Sequence, residues 1–330
     1  MHPTRPLTVV ITGASSGIGL ATALAFARAQ ARVVLCARGE APLARAAAAC
    51  RELGARALAV PGDVTQPAAM HRLAERAAEF GDGGIDVWVN NAGVGAVGLF
   101  DETPVAAHEQ VVRINLLGYL HGAHAVLPFF KAARKGVLVN IVSLGAWAPS
   151  PYGVSYTASK FGLRGFSEAL RAELVDYPQI RICDIFPATA DTPGMRHSAN
   201  YTGKALRPPR PLVDAGAVAR AVLRAVLRAV AAPASQAVTV GVVARLARVA
   251  NLLAPGLLQR AYGRILHRHF SGAHEIPVTD GNLFHASLGH MDVQGGWTSP
   301  EQMRQLRIAG AAVAAGLAGL ALWHWRRHAR

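Results

Sequence analysis

The chain has 330 residues, 52% of them hydrophobic, and a mean hydropathy of +0.24, which excludes a disulfide-stapled miniature domain and wholesale disorder. Three cysteines (Cys36, Cys50, Cys183) without a Cys-x-x-Cys pair exclude a disulfide framework and read as small buried residues in a reducing compartment. The net charge of +14 is uneven: residues 1–200 carry 18 Lys and Arg against 15 Asp and Glu, residues 201–330 carry 16 against 5, so any polyanionic partner would meet the back third.

The first apolar run, Leu7–Ile11, is too short for a secretory signal core, so the expected compartment is the cytoplasm. That run reads instead as a β-branched strand leading into a Gly-rich turn. A helix is expected over Ile18–Arg28, a strand over Arg32–Cys36 and a helix over Pro42–Leu53. Further strands are predicted at Ala55–Val60, Asp86–Val89, Val137–Val142, Ile180–Phe186 and Ala237–Val240. Helical stretches separate them at Met70–Phe80, Pro104–Lys131, Ser155–Asp176 and Ala215–Ala231. Near-continuous apolar strands alternating with helices predict an α/β fold, a doubly wound parallel sheet of about seven strands with helices on both faces. Pro193–Val213 has loop composition.

Thr12-Gly-Ala-Ser-Ser-Gly-Ile-Gly19 lies between the first strand and the first helix. Glycines at 13, 17 and 19 allow a tight turn and close backbone approach to a pyrophosphate, and the helix N-terminus offers free N–H groups. The second strand ends in Cys36-Ala37-Arg38. No carboxylate stands there to repel a 2′-phosphate, and Arg38 can pair with one, so the expected cofactor is NADP(H) rather than NAD, with Glu40 the one nearby acid.

These motifs, with Asp63-Val64, Asn90-Asn-Ala-Gly93, Asn115, Ser143 and Tyr156-Thr-Ala-Ser-Lys160 in that order, resemble the short-chain dehydrogenase/reductase family over about residues 7–192. The resemblance implies a Rossmann-like fold and carbonyl–alcohol redox chemistry. It implies that Tyr156 is the general acid/base and that Lys160, one helical turn later, lowers the phenol pKa and bonds the nicotinamide ribose. It implies that Ser143 bonds the substrate oxygen and that Asn115 holds a water in a proton relay. The implied cofactor site is Gly13, Ser15, Ser16, Gly17, Ile18 and Gly19 of the turn, Arg38, Asp63 and Val64 at the adenine, then Asn90, Ala92 and Gly93, with Tyr156, Lys160, Pro187, Thr189 and Thr192. The family pattern has Pro-Gly where this chain has Pro187-Ala188, a departure that touches the local backbone. The turn is GxxxGxG, unlike the GxxGxxG of the longer sugar-nucleotide epimerases. Assembly as a homodimer or homotetramer is allowed for.

The back third departs from this frame. The expected division is a catalytic domain over 1–243, a helical and loop extension over 244–303 that shapes the substrate site and meets a membrane surface, and a hydrophobic segment over 304–330. Ala244–Phe270 reads as a basic helix interrupted at Pro255-Gly256, with Arg260, Arg264 and Arg268 in one stripe, an interfacial pattern. Arg220, Arg224 and Arg228 form a similar stripe that reads as solvated surface. Ile308–Trp325 has eighteen residues without Lys, Arg, Asp or Glu, roughly 27 Å as a helix, and is a candidate membrane anchor although arginines flank it on both sides. His267, His269, His285 and His290 lack acidic or cysteine partners at ligand spacing, so no metal is expected. Nucleic acid is not expected either, because no zinc-finger or basic-heptad pattern accompanies the charge. The chain is therefore expected to be an NADP-dependent oxidoreductase acting on a lipophilic carbonyl or alcohol at a membrane surface. The reading of another class is a nucleotide-binding scaffold or sensor recruited to membranes without turnover.

Overall fold

The computed structural model describes residues 5–232, 235–287, 289, 291–298 and 301. The first half alternates strand and helix: β1 (Thr8–Thr12), α1 (Gly17–Arg28), β2 (Arg32–Ala37), α2 (Glu40–Glu52), β3 (Ala57–Pro61), α3 (Pro67–Phe80), β4 (Val87–Asn90) and the short β5 (Ala96–Val97). A long helical run follows as α4 (Val105–Val112), a π-helical turn (Arg113–Leu117) and α5 (Gly118–Ala133). Then come β6 (Gly136–Ile141), a 3₁₀ turn (Leu144–Ala146), α6 (Val154–Glu173) and β7 (Ile180–Pro187). Short pieces β8 (Ala190–Asp191), α7 (Gly194–His197), β9 (Ala199–Asn200) and β10 (Val213–Asp214) lead to α8 (Ala215–Ala231) and β11 (Gln236–Val240). Two helices follow, α9 (Val242–Leu253) and α10 (Pro255–Ser271).

Seven strands form one sheet in the order β11-β7-β6-β4-β1-β2-β3, and every pair is parallel. This is the Rossmann-like doubly wound sheet expected from the sequence. Its residues alternate between two buried faces. Val9, Ile11, Val33 and Leu35 pack with Phe26 of α1, Leu43 of α2 and Val218, Val222 and Val226 of α8. Val10, Val34, Trp88 and Leu138 pack on the other face with Met70 and Leu73 of α3, Val126 and Phe130 of α5 and Leu170 of α6. Burial on both faces explains why the strands read as apolar runs rather than alternating ones.

The chain order reverses beside β1: β2 and β3 extend to one side and β4 to the other. The crevice beyond the carboxyl ends of β1 and β4 is where such a sheet binds ligands. Two details differ from the sequence expectation. The single helix expected over Pro104–Lys131 carries a π-helical turn at its centre, and that turn holds Asn115. Pro193–Val213, expected as a loop, is pinned by short parallel pairings of β9 with β5 and of β10 with β8. Asn200 also bridges to Thr279, and Lys204 to Glu275.

Residues 1–295 form one compact unit and residues 296–330 a second. The candidate anchor, Ile308–Trp325, lies outside the described residues, as does His290. Among the described residues no helix is long and apolar enough to cross a membrane. The three cysteines are free thiols and buried, as expected.

Candidate active site

The nucleotide end is built by close backbone approach. Gly13 has φ +64°, and a Cβ there would meet Ala92 Cα at 2.7 Å. A Cβ on Gly19 would meet the Gly13 carbonyl oxygen at 2.1 Å. Only glycine permits this packing of turn against helix α1 and strand β4. Asn91, which the sequence reading did not single out, locks the turn. Its Nδ2 donates to the carbonyls of Thr12 (2.9 Å) and Gly13 (3.1 Å). Thr12 Oγ1 in turn accepts from the amides of Asn91 and Ala92.

The crevice is a cleft of about 220 Å³. Of the residues in the implied cofactor site, Gly13, Ser15, Ser16, Gly17, Ile18, Arg38, Asp63, Val64, Ala92, Gly93 and Thr192 line it. Gly19, Asn90, Tyr156, Lys160, Pro187 and Thr189 do not line it. Gly19 acts through packing, and Pro187 lies within the sheet opposite Val240. Ala188 keeps a sheet-like bond, its amide donating to the Val240 carbonyl at 2.9 Å, so the Ala-for-Gly departure is absorbed there. Asp63 Oδ1 accepts from both the amide and the hydroxyl of Thr65, at 2.9 Å each, which fixes the carboxylate. Arg38 stays in the cleft wall although burial lowers its pKa, with Asp63 acting in the opposite sense. Its Nη2 donates to the Asn282 carbonyl (2.5 Å) and its Nη1 to the Leu283 carbonyl (3.2 Å). A glycine cradle that any Cβ would fill, a helix N-terminus and a half-buried arginine suit a dinucleotide.

The catalytic candidates gather around α6, and none of them lines the cleft. Tyr156 and Lys160 sit one turn apart on α6, and Ser143 ends the segment after β6. The Ser143 hydroxyl accepts from the Gly145 amide at 2.9 Å and lies near enough to the Tyr156 phenol to act against the rise of its pKa. A Cβ on Gly145 would approach the Tyr156 ring to 3.1 Å, so glycine makes room for the phenol. Lys160 Nζ lies 5.7 Å from the Tyr156 ring centroid and 4.9 Å from that of Tyr119, and donates to the Ile141 carbonyl at 3.0 Å. Burial lowers the Lys160 pKa to about 7. Burial is the largest cause acting on the Tyr156 phenol and raises its pKa, opposed by Ser143, and Lys160 is not among the groups that lower it.

Asn115 is fully buried in the π-helical turn. Its Nδ2 donates to the Val94 carbonyl (2.9 Å) and its Oδ1 accepts from the Val94 amide (2.8 Å). These bonds hold the loop after β4 against the cleft, where Gly93, Val94 and Ile114 form the wall. π-Turns inside helices often mark such sites.

Beneath the site runs a buried polar chain that the sequence reading only touched at Asn90. Trp88 Nε1 donates to Asn90 Oδ1 (2.8 Å), and Asn90 Nδ2 donates to Asn140 Oδ1 (3.1 Å). Asn140 Nδ2 donates to Ser167 Oγ (3.0 Å), which donates to Asp184 Oδ1 (2.8 Å). Arg171 pairs with Asp184. Burial raises the Asp184 pKa, opposed by Arg171 and by hydrogen bonds from Ser167 and Arg171. The chain ties β4, β6, β7 and α6 together, so Asn90 braces the sheet rather than lining the cleft. A polar residue in each of three largely apolar strands, Asn90, Asn140 and Asp184, was its only sequence signal.

The back helices reach the catalytic side. Arg164 of α6 and Arg248 of α9 each lie 4.2 Å from the Trp147 ring centroid. Tyr152 (φ +62°) packs on Phe270 of α10 at 4.7 Å between ring centroids. Residues 144–153, which lead into the Tyr156 helix, are thus gripped by both helices.

A family model described as short chain dehydrogenase matches residues 7–202. Ketoacyl reductase HetN of Nostoc sp. is 34% identical over 188 residues, which are 57% of this chain and 65% of HetN. The uncharacterized oxidoreductase YxnA of Bacillus subtilis is 30% identical over 320 residues, 94% of this chain and 88% of YxnA. An actinorhodin polyketide ketoreductase variant crystallised with NADPH superposes with a TM-score of 0.65 at 28% identity, covering 73% of this chain and 97% of the ketoreductase.

Proposed function

The chain belongs to the short chain dehydrogenase family and is an oxidoreductase, and from that premise we propose that it interconverts a lipophilic carbonyl compound and its alcohol with NADP(H). The observation that carries this reading is the Tyr156 phenol near the Ser143 hydroxyl, with Lys160 one turn away on the same helix, in a chain whose Gly13 to Ile18 turn lines a cleft. Bound nicotinamide supplies or accepts the hydride. The rest belongs to this chain. Tyr156, held neutral by burial, donates its proton to the carbonyl oxygen during reduction and takes it back in the reverse direction. Ser143 holds that oxygen in place. Lys160 refills the proton position on the Tyr156 side from a group that titrates near neutrality. Gly13 to Gly19 take the pyrophosphate, Asp63 and Val64 the adenine, and Thr192 the nicotinamide side. Arg38 favours NADP(H) because it offers a guanidinium and no carboxylate at the ribose. The NADPH in the actinorhodin ketoreductase complex supports the same choice, and its polyketide substrate, like the ketoacyl substrate in HetN's name, supports an acyl-chain-like carbonyl. A screen of carbonyls of graded chain length, followed by NADPH absorbance, tests the reading. Turnover that rises with chain length supports it. NADPH binding without turnover on any carbonyl would leave the scaffold reading in its place.

We further propose that α9 and α10 rest on an anionic lipid surface, from which such substrates are drawn. Val242, Leu246, Val249 and Leu253 recur along one face of α9 and all are exposed, Leu246 by 64% and Leu253 by 77%. In α9 only Ala244 is buried, and in α10 no residue is. Leu257 and Ile265 extend the exposed apolar surface into α10. Residues 241–271 contain Arg245, Arg248, Arg260, Arg264 and Arg268 and no Asp or Glu. A second copy of this face would bring like charges together, whereas an anionic bilayer complements both the leucines and the arginines. Co-sedimentation of the full chain with vesicles tests this. Binding to phosphatidylglycerol-containing vesicles and not to pure phosphatidylcholine is expected, and dimerisation through this face without lipid binding would overturn it.

A further inference from the structure

Residues 280–287 and 291–295 follow α10 yet return to the nucleotide end of the sheet. Tyr201 Oη donates to Asp280 Oδ1 at 2.7 Å, and the Asn282 amide donates to the His197 carbonyl at 2.8 Å. Leu283 is fully buried in the core that also holds Val64 and Ile114. Its carbonyl accepts from Gln110 Nε2 (3.1 Å) as well as from Arg38. Further on, the Gly17 amide donates to the Asp292 carbonyl at 2.8 Å, so one N–H of the pyrophosphate turn is taken by the returning chain. The Gly295 amide and carbonyl close the run on Asp191 Oδ1 (3.0 Å) and Arg196 Nε (2.9 Å).

The segment is therefore the second wall of the cofactor cleft. Asn282, Ala286, Ser287 and Met291 face Gly13 to Ile18 across it. The cleft, about 220 Å³, is below the roughly 300–1,000 Å³ of ordinary small-molecule sites, and a dinucleotide is a large ligand. We propose that residues 280–287 and 291–292 form a strap across the cofactor site, and that the dinucleotide loads and leaves by lifting it. The proposal rests on the NADP(H) reading of the cleft. The described attachments of the strap are hydrogen bonds and one fully buried apolar side chain, Leu283, the kind of contact that can open locally without global unfolding. When it lifts, Arg38 exchanges the Asn282 and Leu283 carbonyls for the cofactor phosphate, and the Gly17 amide is released to the pyrophosphate turn. Because the strap must rise for passage in either direction, it slows binding and release together, and lid opening of this kind often limits turnover.

Stopped-flow measurement of NADPH fluorescence on the full chain tests the proposal. Gln110→Ala removes one strap bond from a half-buried side chain outside the catalytic set. It is expected to speed both association and dissociation about fivefold, with the ratio of the two little changed. Leu283→Ala should speed both further. Should that buried substitution fail to fold, Gln110→Ala carries the test alone. Unchanged rates in Gln110→Ala, or a change in dissociation only, would overturn the strap as the gate. A wild-type chain that binds no NADPH would overturn the cofactor reading as well, so the two failures are distinguishable.

Discussion

Helices α8 and α9 are near neighbours in sequence and nearly alike in composition, yet they face opposite ways. In α8, Val218, Val222 and Val226 are fully buried against the sheet while Arg220, Arg224 and Arg228 stand in solvent. In α9, Val242, Leu246, Val249 and Leu253 stand in solvent, and the protein-facing side is the small Ala244. Both carry an apolar stripe at helical spacing flanked by arginines. The stripe records amphipathicity but not which face meets protein. What decides is the neighbour: α8 covers one face of the sheet beside α1, whereas α9 leaves the last strand and touches the Trp147 segment. The contrast separates a region that does chemistry from a region that places it. Each experiment below either keeps those two roles apart or shows them to be one.

The largest effect is expected at the chemical end. Tyr156→Phe removes the proton carrier and should lower kcat about a thousandfold. NADPH binding and vesicle binding should both persist. Activity that survives the change would move the proton transfer to another group, and a loss of vesicle binding would mean that the two regions are not independent.

Next come paired substitutions in the two helices. Val222→Asp buries a carboxylate without a partner and should destabilise the fold by roughly 3 kcal/mol or more. Leu253→Asp changes an exposed position and should leave the thermal midpoint almost unmoved. Combined with Leu246→Glu it should instead weaken partition onto anionic vesicles at least tenfold, by roughly the burial free energy of two leucines. Equal destabilisation by Val222→Asp and Leu253→Asp, read by thermal melting, would show that α9 is covered like α8. Arg38→Asp comes third. It should shift the NADPH-to-NADH preference about tenfold toward NADH, as phosphate pairing is replaced by repulsion. An unchanged preference would remove Arg38 from the phosphate site.

The two regions also differ in how far they could be read from the sequence. The sheet was legible because strands buried on both faces write themselves as apolar runs. The order of Gly13, Gly17 and Gly19, then Ser143, Tyr156 and Lys160, carried the family resemblance, and the family model matches residues 7–202. Asn140, Ser167 and Asp184 were not legible, since the polar chain they form exists only once β6, α6 and β7 lie side by side. Nor was the pKa of Tyr156. The sequence shows a lysine four residues away, but burial of both groups is a property of the packed protein. The strap was hidden for the same reason. Residues 271–297 have loop composition, and nothing local says that Leu283 is buried or that Asn282 meets Arg38, 244 residues earlier.

The smallest effect, and the one most specific to the packed site, is a pH dependence of stability. Lys160 has a folded-state pKa of about 7, lowered from 10.5 by burial. Between those values the unfolded chain binds a proton at this position and the folded chain does not, so the group makes stability rise with pH. Below about pH 7 both states are protonated and the slope ends, leaving the full burial penalty in place. The thiols act in the opposite sense. Burial raises Cys36 to about 12 and Cys50 and Cys183 to about 11, so the unfolded chain gains stability above their ordinary value near 9. The Lys160 contribution is therefore cleanest from pH 7 to 8.5. Unfolding free energies of the wild type from urea titration should rise through that window by at most about 1.4 kcal/mol per pH unit, and Lys160→Met should flatten the rise. A variant with the same slope as the wild type would mean that Lys160 keeps its charge in the folded protein. The ammonium would then act on the Tyr156 phenol in the way the family resemblance implies, and the buried-neutral description of the site would be wrong.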